Sequence, residues 1–206
     1  MPRDGAPTRA AIMDAAEALI LETGFAATSV DKVIERAGVT KGTFFYHFKT
    51  KADLAQELIE RFAAADLAHL ESDLARAEQL SRDPLQQVLI FVGLLREEMA
   101  LLVEPYPGCL FASCVYEAGL FERHTLDVVR IAHERWRERL GAKLEAVIDR
   151  YPPRLPVTAT GLVDMIAVIF EGAFLMSKVT SEPGMVAAQL DHYRQYLELV
   201  FAPDGG

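Results

Sequence analysis

From Thr40 to Lys51 the chain reads T-K-G-T-F-F-Y-H-F-K-T-K, and the types and spacing of its side chains define one kind of chemistry. On a helix, Thr40, Lys41, Thr43, Tyr46 and His47 lie on or near one outer face, while Phe44 and Phe48 turn inward. Lys41 reaches phosphate oxygens or guanine acceptors, and Thr43 reaches a base edge or a thymine methyl. Tyr46, His47, Lys49 and Lys51 suit phosphates, which position a protein without reading sequence. Gly42 has no side chain, so the helix can lie close to base edges. The segment is built to meet a polyanion.

The bulk charge argues the other way until it is divided. The 206 residues carry a net charge of −9, which disfavours nucleic acid. Residues 1–51 hold seven basic and six acidic groups, net +1, and the remainder holds 14 basic and 24 acidic, net −10. Within 28–51 the balance is five basic to two acidic. The acid therefore sits in the C-terminal three quarters, and the N-terminal quarter can approach DNA.

The elements that position this segment follow from helical periodicity, which dominates the chain with no strand pattern or repeat. Helix 1 starts near Thr8 as N-cap, with Ile12, Ala15, Ala16, Leu19 and Ile20 as one apolar stripe and Gly24 as its end. Helix 2 starts after Thr28 with Asp31 as capping-box partner, and Gly38 makes the turn into a third helix capped by Thr40 and running to about Phe48. Thr50 and Asp53 form a second capping pair that opens a long helix over about 51–80. Pro84 starts a helix that ends near Val103. Further helices cover about 110–119, 123–150, 157–180 and 185–202, broken at Pro105-Tyr106-Pro107-Gly108, at Tyr151–Pro156 and at Pro183-Gly184. The fold class is all-α, with a helix-turn-helix DNA-binding domain over 1–51 and a larger helical domain over 52–206.

The stretch from about Arg9 to Leu58, above all A-G-V-T-K-G-T-F-F-Y-H-F-K-T-K-A-D-L, closely resembles the N-terminal domain of TetR-family transcriptional regulators. The resemblance implies a homodimer that binds a palindromic operator, represses a nearby gene and lets go when a small ligand enters the C-terminal domain. It implies base-proximal roles for Thr40, Lys41, Gly42 and Thr43, and phosphate roles for Thr28, Phe45, Tyr46, His47 and Lys51. Many members carry tyrosine where this chain has Phe45, so the hydroxyl that would reach a phosphate there is missing.

The resemblance covers the rest of the chain loosely, and its residues carry the reading. The segment 157–178 has three charges in 22 residues, too apolar for an ordinary surface helix. Its small residues Gly161, Ala167, Gly172 and Ala173 would admit a second helix at close range. Together with 185–202, which carries Leu190, Tyr193, Tyr196, Leu197, Val200 and Phe201, it matches the pair of long helices through which such regulators dimerise. Phe91, Met99, Tyr106, Phe111, Cys114, Tyr116, Phe121 and Trp136, with Phe170 and Phe174, suggest a mostly apolar ligand pocket. Tyr116, His133 and Glu171 are candidate polar anchors within it.

Cys109 follows P-Y-P-G and is expected at a helix N-terminus, where the dipole lowers a thiol pKa. The alternative to a ligand-released repressor is therefore a redox or electrophile sensor acting through Cys109. The two cysteines argue against a disulfide framework, and the scattered histidines give no metal spacing. No Walker or dinucleotide loop, G-x-S-x-G or H-E-x-x-H motif supports an enzyme, and no cofactor is implied. The acidic, aromatic-rich C-terminal part fits an architectural DNA-binding protein poorly. No apolar run approaches the 18 residues of a membrane span and no signal peptide opens the chain, so a cytoplasmic protein is expected.

Overall fold

The chain is described here by a computed structural model, in which residues Gly5 to Ala202 are placed. Among them the regular structure is entirely helical: α1 (Ala6–Thr23), α2 (Val30–Ala37), α3 (Lys41–His47), α4 (Lys51–Leu80), α5 (Pro84–Ala100), α6 (Leu110–Tyr116), a 3₁₀ turn (Ala118–Leu120), α7 (Arg123–Arg150), α8 (Ala159–Thr180) and α9 (Met185–Val200). Two compact units share these elements. The first takes the chain up to Ala65 and adds Pro107–Ile131; the second takes Asp66–Tyr106 and the chain from Ala132 onward.

Local chemistry explains most helix ends. The Thr40 hydroxyl accepts from the Thr43 N–H at 3.1 Å and caps α3. Thr50 and Asp53 exchange reciprocal side-chain-to-amide bonds at 3.0 and 2.9 Å, the capping box that opens α4. Gly38 closes α2 in the left-handed conformation at φ 65°, where an L side chain is strained. Two starts differ from the sequence expectation. α1 begins before Thr8, because Pro7 stands in its first turn, where its missing N–H costs nothing. α2 is capped by Ser29, whose hydroxyl accepts from Lys32 N–H at 3.2 Å, while Thr28 turns inward. α5 stops at Ala100, which leaves Leu101 and Val103 exposed in the loop before Pro105.

The first unit buries Ile12, Ala16 and Ile20 of α1 against Phe25, Val33 of α2, Phe44 of α3, Phe48, and Leu54 and Leu58 of α4; Leu110 and Cys114 of α6 complete this core. In the second unit α9 packs against both α5 and α8. Its core includes Leu74, Phe91, Leu95, Leu144, Leu162, Ile166, Leu190, Tyr193 and Leu197. The Tyr193 hydroxyl donates to the Leu162 carbonyl at 2.8 Å, and burial pushes its pKa up. α7 is tied to α4 by Trp136 Nε1 donating to Asp66 at 2.6 Å, and to α8 by a bidentate Arg137–Asp164 pair at 2.7 Å.

α8 corrects one sequence reading. It is long and apolar enough to cross a membrane by length and composition, with a mean hydropathy of 1.7 over its most apolar window. Asp164, Glu171 and Lys178 interrupt the apolar run at seven-residue intervals, yet they fall on one stripe and leave the average high. Only 28% of that window is buried within the chain.

Candidate nucleic-acid interface

α3 stands on an apolar base. Phe44 and Phe48 are fully buried with ring centroids 5.9 Å apart, so the helix is fixed by the side that points away from solvent. The opposite side presents Lys41, Gly42, Phe45 and Tyr46, all exposed; Tyr46 is 78% accessible. Lys41 Nζ lies 3.8 Å from Asp31 with both side chains in solvent. Such a pair contributes at most about 1 kcal/mol and is easily exchanged for a phosphate. Thr43 shares a hydroxyl hydrogen bond of 2.8 Å with Thr40. His47 is half-buried beneath Tyr46, whose ring centroid is 5.0 Å from its own. Lys49 is exposed just past the helix.

Gly42 stands in open space: a Cβ built there would meet only the Thr40 hydroxyl, at 3.8 Å. The free protein has no need of glycine at this position. Arg36 reaches back to Glu22 in a bidentate bond of 2.7 Å, and Arg9 pairs with Glu57.

Thr28 and Lys51 face inward, toward the turn between α1 and α2. Thr28 is 2% exposed and its hydroxyl donates to the Gly24 carbonyl at 2.8 Å. Lys51 Nζ donates to the Phe25 carbonyl at 2.5 Å and lies 3.8 Å from the Phe25 ring centroid. Burial lowers the Lys51 pKa, and the nearby charge of Glu117 opposes that shift. The family resemblance groups these two with the phosphate contacts, and neither resemblance nor residue type carries orientation.

Glu117 is the residue that sequence reasoning missed. Its two carboxylate oxygens accept from the N–H groups of Phe25 and Ala26, at 2.6 and 2.8 Å. Its partners lie more than 90 residues earlier in the chain, so no local pattern announces it.

The aromatic set is divided between the two units. Phe111, Cys114, Tyr116 and Phe121 belong to the first unit, and Phe91, Met99, His133, Trp136, Phe170 and Phe174 to the second. Phe111 packs edge-on against Phe62, and Tyr116 is 87% exposed. In the second unit Tyr106 stacks on Phe174 at 4.6 Å, and Phe91 meets Trp136 edge-on at 6.2 Å. His133 faces Asp164 at 3.4 Å. An open groove of about 590 Å³ lies elsewhere in this unit, lined by His69, Asp73, Leu94, Arg96, Glu98 and Leu101 among others.

Cys109 is the half-buried N-cap of α6, with no side-chain capping bond. Burial pushes the Cys114 thiol up to about 11, which keeps it protonated and unreactive. Among the described residues no three His, Cys, Asp or Glu side chains are grouped to hold a metal ion.

A three-helix head whose third helix offers an exposed, lysine- and tyrosine-bearing face defines a helix-turn-helix DNA-binding protein. Residues 12–58 match the family model described as bacterial regulatory proteins, tetR family. The chain is 30% identical over 172 residues to the transcriptional regulator AcuR of Cereibacter sphaeroides, covering 80% of this chain and 73% of that one. It is 39% identical over 72 residues to the regulator TtgR of Pseudomonas putida, covering 35% of this chain and 32% of that one. The latter match thus spans about a third of that relative's length. A TetR-family regulator from Agrobacterium tumefaciens has the same fold, with a TM-score of 0.76, 22% identity and coverage of 97% and 100% of the two chains. The protein belongs to the TetR family.

Proposed function

We propose that this protein is a cytoplasmic, ligand-responsive repressor that binds a palindromic operator as a homodimer and is released by a small, mostly apolar molecule. Residues 1–51 supply the reading of DNA in this proposal, and residues 52–206 supply ligand binding and dimerisation. The observation that carries it is the outer face of α3, where Lys41, Gly42 and Tyr46 stand exposed on a buried Phe44–Phe48 base. Thr40, Lys41, Gly42 and Thr43 are assigned to bases, and Tyr46, His47 and Lys49 to phosphates. Thr28 and Lys51 support the same surface from behind, by fixing the turn that leads into α2.

Dimerisation is assigned to the outer faces of α8 and α9. Gly161, Met165, Val168, Gly172, Leu175 and Val179 are all exposed and follow one another at spacings of four and three residues. That is the spacing of a seam meant for another helix. On α9, Ala188, His192, Gln195 and Leu199 repeat the spacing and are exposed as well. A Cβ at Gly172 would meet nothing within its own chain, so its small size serves a neighbour from outside. Leu190, Tyr193, Leu197 and Val200 of α9, with Phe201 just past its end, turn inward to the core.

Selection of duplexes from a random library by the full-length protein tests the reading, with Lys41→Ala in parallel. The expected result is a two-fold-symmetric consensus, bound with strong salt dependence. Lys41→Ala should weaken binding by about tenfold to a hundredfold if it reads a base. Enrichment of no sequence, or unchanged affinity in the variant, would remove α3 from the DNA.

A further inference from the structure

Many backbone groups of the turn between α1 and α2 are hydrogen-bonded, and several of the partners lie farther along the chain in the first unit. Gly24 leaves α1 at φ 85° with its N–H still bonded to the Ile20 carbonyl at 2.8 Å. Its own carbonyl accepts from the Thr28 hydroxyl. The Phe25 N–H goes to Glu117 Oε1 and the Ala26 N–H to Glu117 Oε2. The Phe25 carbonyl accepts from Lys51 Nζ, and the Ala27 carbonyl from Lys32 Nζ at 2.8 Å. One peptide unit is therefore held from both sides, by a carboxylate at its N–H and an ammonium at its carbonyl.

The ring of Phe25 is held too. It is 6% exposed, its centroid lies 4.3 Å from that of Phe121, and Lys51 covers its face. Glu117 and Phe121 flank the 3₁₀ turn that follows α6, and α6 itself is anchored in the core by Leu110 and Cys114. The residues that grip the turn thus follow directly on a helix packed into the core. A bidentate carboxylate on two amides is charge-assisted and directional, which makes it a fixed bracket rather than a loose surface contact.

We infer that Glu117 is a positioning residue for the reading of DNA: its carboxylate brackets the Phe25 and Ala26 amides and thereby sets the pose in which α2 and α3 are presented. The inference rests on the proposed role of α3. The turn is the covalent joint between α1 and the α2–α3 pair, and α2 starts at Val30, four residues past Ala26. A change of φ or ψ at the joint rotates everything beyond it, and phosphate and base contacts tolerate little displacement. The bracket also gives Gly24 a second reason to be glycine. Beyond the positive φ, a Cβ there would come within 2.9 Å of Glu117 Oε1.

The test compares full-length wild type, Glu117→Ala and Glu117→Gln on the duplex that the wild type selects. Affinity is measured at a temperature where circular dichroism finds all three folded, with amide hydrogen exchange read at Phe25 and Ala26. Glu117→Ala, which removes both hydrogen bonds, should bind at least about tenfold more weakly with its fold intact, no less than the scale of one lost hydrogen bond to a charged group. Exchange at both amides should accelerate. Glu117→Gln should fall between, because its amide oxygen serves one N–H while its NH2 faces the other. A role in stability alone would lower the melting temperature and leave the affinity of the folded protein unchanged, and that result overturns the inference. If Glu117→Ala does not fold, Glu117→Gln decides: weaker binding supports the bracket and wild-type affinity refutes it. If the wild type selects no sequence, the DNA-reading role falls first, and the bracket's purpose with it.

Discussion

Gly42 separates what folding needs from what DNA needs. It lies in the first turn of α3 with open space where a side chain would go. Alanine there is helix-favourable by up to about 1 kcal/mol, so Gly42→Ala should keep or slightly raise the melting temperature. The same methyl would stand between the helix and the base edges, and DNA affinity should fall by about tenfold, the scale of one lost base contact. A thermal melt paired with a gel-shift titration reads both numbers. Unchanged affinity would mean that α3 does not approach the groove at this point. Lys41, Gly42 and Tyr46 were legible in the sequence because helical spacing alone puts them opposite Phe44 and Phe48. Thr28 and Lys51 were not legible, because their inward direction is set by the carbonyls of Gly24 and Phe25 and by Glu117.

At the scale of elements, helix ends governed by short-range capping were readable. The long helices over 51–80 and 123–150 fall at the residues their periodicity predicts. The starts of α1 and α2 were read late and early, because Thr8, Thr28 and Ser29 are all competent caps and only packing chooses among them. The unit to which each aromatic belongs was the least legible feature. Phe111 and Phe121 share a core with α1 and α4, and nothing in their spacing assigns them to that unit rather than to the one holding Phe91 and Trp136.

Asp83 allows a quantitative check on one of these caps. It is the N-cap of α5, accepting from Gln86 N–H at 2.9 Å and from the Tyr151 hydroxyl at 2.5 Å. The Tyr151 hydroxyl, and then the Gln86 amide, hold its carboxyl below the ordinary value of 3.8. A carboxylate whose pKa is depressed on folding stabilises the fold above its ordinary pKa and loses that contribution as pH falls through the lower, folded value. Asp83→Ala should therefore cost about 1 kcal/mol at neutral pH, and the gap to wild type should narrow in acid below 3.8. Urea midpoints for both proteins at neutral and acid pH measure this. A gap that stays constant with pH would show that the charge of Asp83 is irrelevant to the cap.

For the whole molecule the open question is what covers α8. Val168, Leu175 and Val179 are 70%, 62% and 69% exposed on one seam, an apolar stripe that a lone chain would leave to water. Lipid is the rival cover, since the helix is long and apolar enough to cross a bilayer. Its inner face argues against leaving the protein. The Leu162 carbonyl is bonded to Tyr193, and Asp164 is held by Arg137, so insertion would strip both partners and expose a charge to hydrocarbon. A second copy removes the stripe without breaking either bond, and the 4-3 spacing with Gly172 at its centre suits helix against helix. The palindromic operator proposed above would need such a pair, because two half-sites engaged together bind far more tightly than either alone. Replacing Val168 and Leu175 with glutamate puts two charges on the seam, and neither side chain belongs to the core. Sedimentation should then find single chains with unchanged helicity where the wild type sediments as a dimer. DNA affinity should fall at least a hundredfold, because each recognition helix must find its half-site unaided. A double variant that remains dimeric would move the interface elsewhere. A wild type that needs detergent, or floats with lipid vesicles, would return α8 to the membrane.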